Sequence, residues 1–165
     1  MAEKTITVPE EVVDFEPGTR IWFGKEKTQW RVLEVNREEE TALLIADREV
    51  CSMAYNKEYK AVTWETCSLR KWLNGEYYEK TFSDTEKDAI IETELQNPDN
   101  PKYNTKGGND TKDKIFLLSI DEAEKYFKNN QDRAIGSRWW LRSPGDNQNS
   151  AAYVNADGSV LYYGN

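Results

Sequence analysis

Near the end of this chain two adjacent tryptophans run into an arginine and a Pro-Gly turn, Trp139-Trp140-Leu141-Arg142-Ser143-Pro144-Gly145. An Asn-rich stretch follows, then two short alternating segments at 151–155 and 158–163. Alternation has the strand period, and Pro-Gly marks a turn, so this tail is constrained to short antiparallel strands joined by polar loops. It matches no catalytic motif. It reads as a rigid aromatic frame with a polar, adaptable rim, which is how a binding surface is built.

In a strand, neighbouring side chains point to opposite faces. Trp139 and Trp140 therefore divide between core and groove, or both serve the structure. Trp22, Trp30, Trp64 and Trp72 read as core anchors. Arg142 either clamps an anionic ligand, stacks on an aromatic face, or forms a structural salt bridge with one of the many carboxylates. The next stretch, Asp146-Asn147-Gln148-Asn149-Ser150, is a compact set of donors and acceptors. Tyr153, Tyr162 and Tyr163 are positioned to flank it. Tyrosine with asparagine and serine is the chemistry of adaptable recognition, although a plain solvated hairpin loop has the same composition. The candidate ligand-binding set is Trp140, Arg142, Asp146, Asn147, Asn149, Tyr153 and Tyr162.

Composition removes several function classes. The 165 residues fit one domain, and 12% aromatic content argues for a packed core despite 32% charged residues. A formal charge of −8 repels a phosphate backbone and an anionic bilayer, so neither nucleic acid nor membrane is expected as a partner. There is no histidine, which excludes Ser-His-Asp and Cys-His catalysis and every His-ligated metal. Cys51 and Cys67 lack metal or scaffold spacing and read as reduced, part-buried thiols. Cys67 lies near an expected helix start, where a thiolate is favoured, but no histidine stands by as its base. Asp99, Asn100, Asn104, Asn109 and Asp110 make an oxygen-rich loop whose spacing fits no EF-hand, so no metal or cofactor is assigned. No leader-type apolar core opens the sequence. The expectation is a cytoplasmic or particle-associated protein, or one whose upstream segment is not included.

Along the chain, residues 1–14 read as an acidic lead-in in which Val8, Val12 and Val13 form a strand or loose extension. Residues 21–24, 29–35 and 41–46 read as a meander, with Trp30, Val32 and Glu34 on one face and Arg31, Leu33 and Val35 on the other. Thr63 is placed to cap a helix from Trp64 that ends at Asn74-Gly75. Capping boxes at Ser83-Asp84-Thr85-Glu86 and Ser119-Ile120-Asp121-Glu122 predict helices running toward Glu94 and Phe127. Strands, then helices, then strands predict an α+β domain over 15–165, with helices flanking small antiparallel sheets.

The segments WRVLEV (30–35), ALLIA (42–46), WETCSLRKWLN (64–74), TFSDTEKDAI (81–90), KIFLLSIDEAEKYF (114–127) and WWLRSPG (139–145) together resemble a bacterial family, domain of unknown function 6273. The tail is also similar to C-type-lectin-like modules, including the formylglycine-generating-enzyme branch and the variable proteins diversified by retroelements. That resemblance implies a C-type-lectin-like fold and a non-enzymatic recognition module for a protein or glycan ligand. It also implies a closing Gly-Val-Arg-Pro strand, which the sequence, ending at Tyr163-Gly164-Asn165, does not carry. Residues 21–24 are then expected as an unpaired edge open to a homodimer. Two alternatives stay open: a structural component of a phage or surface particle, and a formylglycine-generating-type or carboxylate-based enzyme.

Overall fold

Strand-forming residues build the meander. In the computed structural model, which describes residues 15–164 and the backbone of residues 3–7, β2 (Arg20–Phe23) pairs antiparallel with β3 (Thr28–Asn36). β3 in turn pairs antiparallel with β4 (Thr41–Ala46). β1 (Glu3–Thr7) lies between β4 and β7 (Ile115–Phe116), giving the order β2-β3-β4-β1-β7. This strand falls within the segment that the sequence leaves as a lead-in; Val8, Val12 and Val13 lie outside the described residues. Helices and two smaller antiparallel sheets complete an α+β fold: β5 (Thr93–Leu95) with β6 (Thr111–Asp113), and β8 (Trp139–Pro144) with β9 (Ala151–Val154) and β10 (Val160–Gly164).

A bulge in β3 alters the expected faces. Val32 is opposite Leu44 and Glu34 is opposite Leu43, leaving Leu33 as the extra residue. An added residue inverts the alternation beyond it. Trp30 and Val32 face one core cluster with Val35, while Leu33 joins the other. Glu34 reaches Lys125 and Tyr126 on the second side. The grouping of Glu34 with Trp30 and of Val35 with Leu33 is thereby corrected. Trp22 is corrected too: on the edge strand β2 it alternates away from Ile21 and Phe23, which pack on the core, and remains 66% exposed. Trp30 and Trp64 are fully buried anchors.

The helical segment also departs from expectation. Residues 63–67 form a turn in which the Thr63 carbonyl accepts from Thr66 and Cys67, and Cys67 becomes the N-cap of α1 (Ser68–Trp72). The chain then passes straight through Asn74-Gly75 in a π-helical stretch, Leu73–Tyr77, into α2 (Tyr78–Thr81). Asn74 holds this turn laterally. Its Oδ1 accepts from the amides of Lys114 (2.8 Å) and Ile115 (3.1 Å), and its Nδ2 donates to the Ile115 carbonyl at 2.8 Å. The asparagine thus fixes the helix against β7 instead of ending it.

Both capping boxes form as expected. Ser83 caps α3 (Asp84–Ala89), and Ser119 caps α4 (Ile120–Tyr126), each exchanging bonds with the glutamate three residues on. α3 stops short of Glu94, which belongs to β5. A short α5 (Asn130–Arg133) precedes the tail. Among the described residues no helix is long and apolar enough to cross a membrane.

The central helix supplies a stability prediction. Asn74→Ala strands backbone groups of β7 and should cost about 2–3 kcal/mol in urea unfolding. Gly75 has open space around its Cβ direction, so Gly75→Ala should stabilise by about 0.5–1 kcal/mol. A loss of stability in Gly75→Ala would contradict a continuous helix here.

Candidate functional site

β8 positions the tail by sending alternate side chains to opposite sides. Trp139 packs against Phe127 with ring centroids 6.1 Å apart, in the cluster with Leu141. Trp140 faces the other way. Its ring lies 5.7 Å from Tyr55 and 6.0 Å from Tyr153, and its Nε1 donates to the Met53 carbonyl at 2.9 Å. The expected division of the tryptophan pair is therefore present, with Trp140 half-buried at the edge of a cleft.

Arg142 is committed to the interior. Its side chain is only 4% exposed and forms a fork on Glu122, with Nη2 at 2.8 Å from Oε1 and Nη1 on Oε2. The same guanidinium donates to the carbonyls of Leu117 (2.8 Å) and Gln96 (3.2 Å). Of the roles weighed for this residue, the structural salt bridge is the one its surroundings support. Glu122 is shared: besides pairing with Arg142, it accepts from the Ser119 amide in the capping box of α4.

The polar loop is largely satisfied by itself. Asp146 accepts from Ser150 Oγ at 2.6 Å and from Asn147 Nδ2 at 2.9 Å, and Asn147 Oδ1 accepts from the Asn149 amide at 2.9 Å. Gln148 donates to the carbonyls of Val62 (3.1 Å) and Lys106 (3.0 Å), fixing the loop to its neighbours. Asp146, Asn147 and Asn149 remain exposed. Tyr162 turns away from Tyr153 and packs edge-on against Tyr103 at 5.5 Å, with Lys102 over its ring. The seven candidates thus occupy four different settings; Asp146, Asn147 and Asn149 bond to one another within the loop, and among the aromatic candidates only the rings of Trp140 and Tyr153 meet.

They meet in a cleft of about 490 Å³. Tyr163 stands edge-on to Tyr153 at 5.9 Å and is 60% exposed. Arg138 lies over the Tyr153 ring at 5.5 Å. Val50, Cys51 and Met53 line the cleft from the segment after β4, and Leu69, Leu73 and Leu117 line it from the core. Gly164 closes against Trp140 so tightly that a Cβ there would fall 2.3 Å from the indole ring. Burial and the neighbouring Tyr163 push the Tyr153 phenol above its usual range. The sequence pointed to Tyr163 but not to Arg138 or residues 49–53, which carry no period or motif.

The cysteines show no activation. Burial pushes the Cys67 thiol up to about 11, against the opposing backbone amide of Arg70, and burial also raises Cys51. In the 97–110 loop the oxygens hold the loop together. Asp99 takes Lys106 and the Gly107 amide, while Asn100 accepts from Lys102 and Tyr103 and donates to Pro144. Among the described residues no cluster of three or more acidic, cysteine or histidine side chains is arranged to hold a metal.

A family model described as "Domain of unknown function (DUF6273)" matches residues 39–165. The chain belongs to that family. No curated protein and no solved structure matches it. Every residue named as lining the cleft falls within the DUF6273 match, whereas β1, β2 and β3 precede it.

The Arg142 fork generates a prediction. Arg142→Ala should cost about 3–5 kcal/mol in urea unfolding, because it leaves the capping carboxylate without its buried partner. Asn149→Ala, on the exposed loop, should stay within about 0.5 kcal/mol of the parent. Similar losses in both variants would remove the distinction between frame and loop.

Proposed function

We propose that this DUF6273 domain is a non-enzymatic recognition module whose protein or glycan ligand occupies the cleft of Trp140, Tyr153 and Tyr163. The observation that carries this reading is the cleft itself. It brings three aromatic rings, one of them well exposed, around a concave space of about 490 Å³ beside Arg138. Concave, mostly apolar sites with a few polar groups are where ligands bind. The 146–150 loop supports recognition less well, since much of its hydrogen-bonding capacity is used internally. A C-type-lectin-like architecture belongs to the same reading. Its support is the flanking of small antiparallel sheets by helices and the tail segments that resemble those modules.

Screening against glycan and peptide arrays tests the site. Tyr163→Ala should weaken any ligand found by about tenfold, while an alanine triple variant at Asp146, Asn147 and Asn149 should retain binding. Loss in the triple variant alone would move recognition to the loop, and unchanged binding in both proteins would sink the proposed cleft.

A second reading, self-association, is favoured by β2. It ends the five-stranded sheet and carries the exposed Trp22. An edge strand offers unpaired backbone groups to a second copy. Light scattering at high micromolar concentration should then give a dimer mass that Trp22→Lys reduces, and a monomer mass for the parent would overturn it.

A further inference from the structure

The floor and rim of the cleft differ in chemistry, and the difference selects between the two ligand classes. Leu69, Leu73 and Leu117 back it at depth, at most 3% exposed, and the half-buried Val50, Cys51 and Met53 give its floor more apolar surface. A sugar sunk to that floor would leave the hydroxyls facing these apolar side chains without hydrogen-bond partners, which is costly. An aromatic side chain carries no such penalty and gains edge-to-face contact with Trp140 and Tyr153. A volume of about 490 Å³ takes one large side chain with the backbone on either side of it.

The rim adds a charge requirement. Arg138 is exposed, and its Nε donates to Asn155 Oδ1 at 3.3 Å. Among the described residues no carboxylate forms an ion pair with it, so its guanidinium is available at the cleft mouth. Glu49 is the other charged residue of the lining and is also exposed. Its carboxylate disfavours a run of acidic residues, leaving room for one.

We propose that the cleft holds a segment of another protein by one aromatic side chain, seated on that apolar floor, with an adjacent carboxylate paired to Arg138. This rests on the cleft being the recognition site, and it narrows the ligand to a peptide with an aromatic anchor beside an acid.

Blocked tripeptides carrying tryptophan next to aspartate, in either order, test this in titrations of isotope-labelled protein followed by NMR. Controls replace the aspartate by asparagine or the tryptophan by alanine, and N-acetylneuraminic acid serves as the sugar probe. The aspartate peptides should shift signals of Cys51, Arg138 and Tyr163, and the alanine control should not. Asparagine in place of aspartate should weaken binding about fivefold in the parent and leave it unchanged in Arg138→Gln. Equal binding of the aspartate and asparagine peptides to the parent would overturn the Arg138 pairing. Cleft shifts with the sugar acid but not with the peptides would overturn the aromatic anchor while leaving the cleft as the recognition site. No cleft shift with any probe would overturn both.

Discussion

The buried fork between Arg142 and Glu122 is the constraint on which the tail depends. A guanidinium taken out of water is stable only if its charge is met and its donors are used. Glu122 meets the charge, and the carbonyls of Leu117 and Gln96 take further donors. The backbone of Arg142 is also engaged, donating to the Leu118 carbonyl at 2.8 Å and accepting from Tyr55 at 3.1 Å. One residue therefore links β8 to the start of α4, to the residues joining β7 to α4 and to the segment that builds the cleft wall.

The two capping boxes extend this logic. In each, the glutamate caps its own helix and also binds a segment distant in sequence. Glu86 accepts from the Gly24 amide at 2.7 Å, tying α3 to the end of β2, as Glu122 ties α4 to β8. A fully buried carboxylate also ties distant segments together. Asp113 is 1% exposed and takes Trp64 Nε1 at 2.9 Å, Arg70 Nε at 2.7 Å and Thr111 Oγ1 at 2.8 Å. These polar ties suit a chain whose helices are short, since short helices gain most of their stability from tertiary contacts.

With Trp139 fixed in one core cluster and Arg142 held by Glu122, Trp140 is left half-buried on the face opposite Trp139. The cleft follows from that placement. Tyr153 and Tyr163 continue the same face of the tail sheet, and residues 49–53 line the cleft with the core leucines. The core-facing aromatic frame and the proposed recognition surface are thus two sides of one strand. The polar loop between β8 and β9 is a connector held by its own hydrogen bonds and by Gln148.

Much of the local structure was legible in the sequence. The β2–β4 meander, both capping boxes, the division of Trp139 from Trp140 and the salt bridge of Arg142 follow from periodicity, cap chemistry and the excess of carboxylates. The bulge at Leu33 was not legible, because nothing in Trp30-Arg31-Val32-Leu33-Glu34-Val35 marks where pairing with β4 slips. Nor was the passage of the helix through Asn74-Gly75, since asparagine and glycine end helices when only local energies count. The bonds from Asn74 to Lys114 and Ile115 reverse that preference from some forty positions away. The cleft was half legible: Trp140 and Tyr153 were among the candidates, whereas Arg138 and Met53 were not. The sequence by itself determined the β2–β4 meander, the two capping boxes and that an aromatic face exists. Only the tertiary structure decided which polar groups turn inward and which rings meet, because those choices depend on hydrogen-bond partners and packing surfaces brought together from distant parts of the chain.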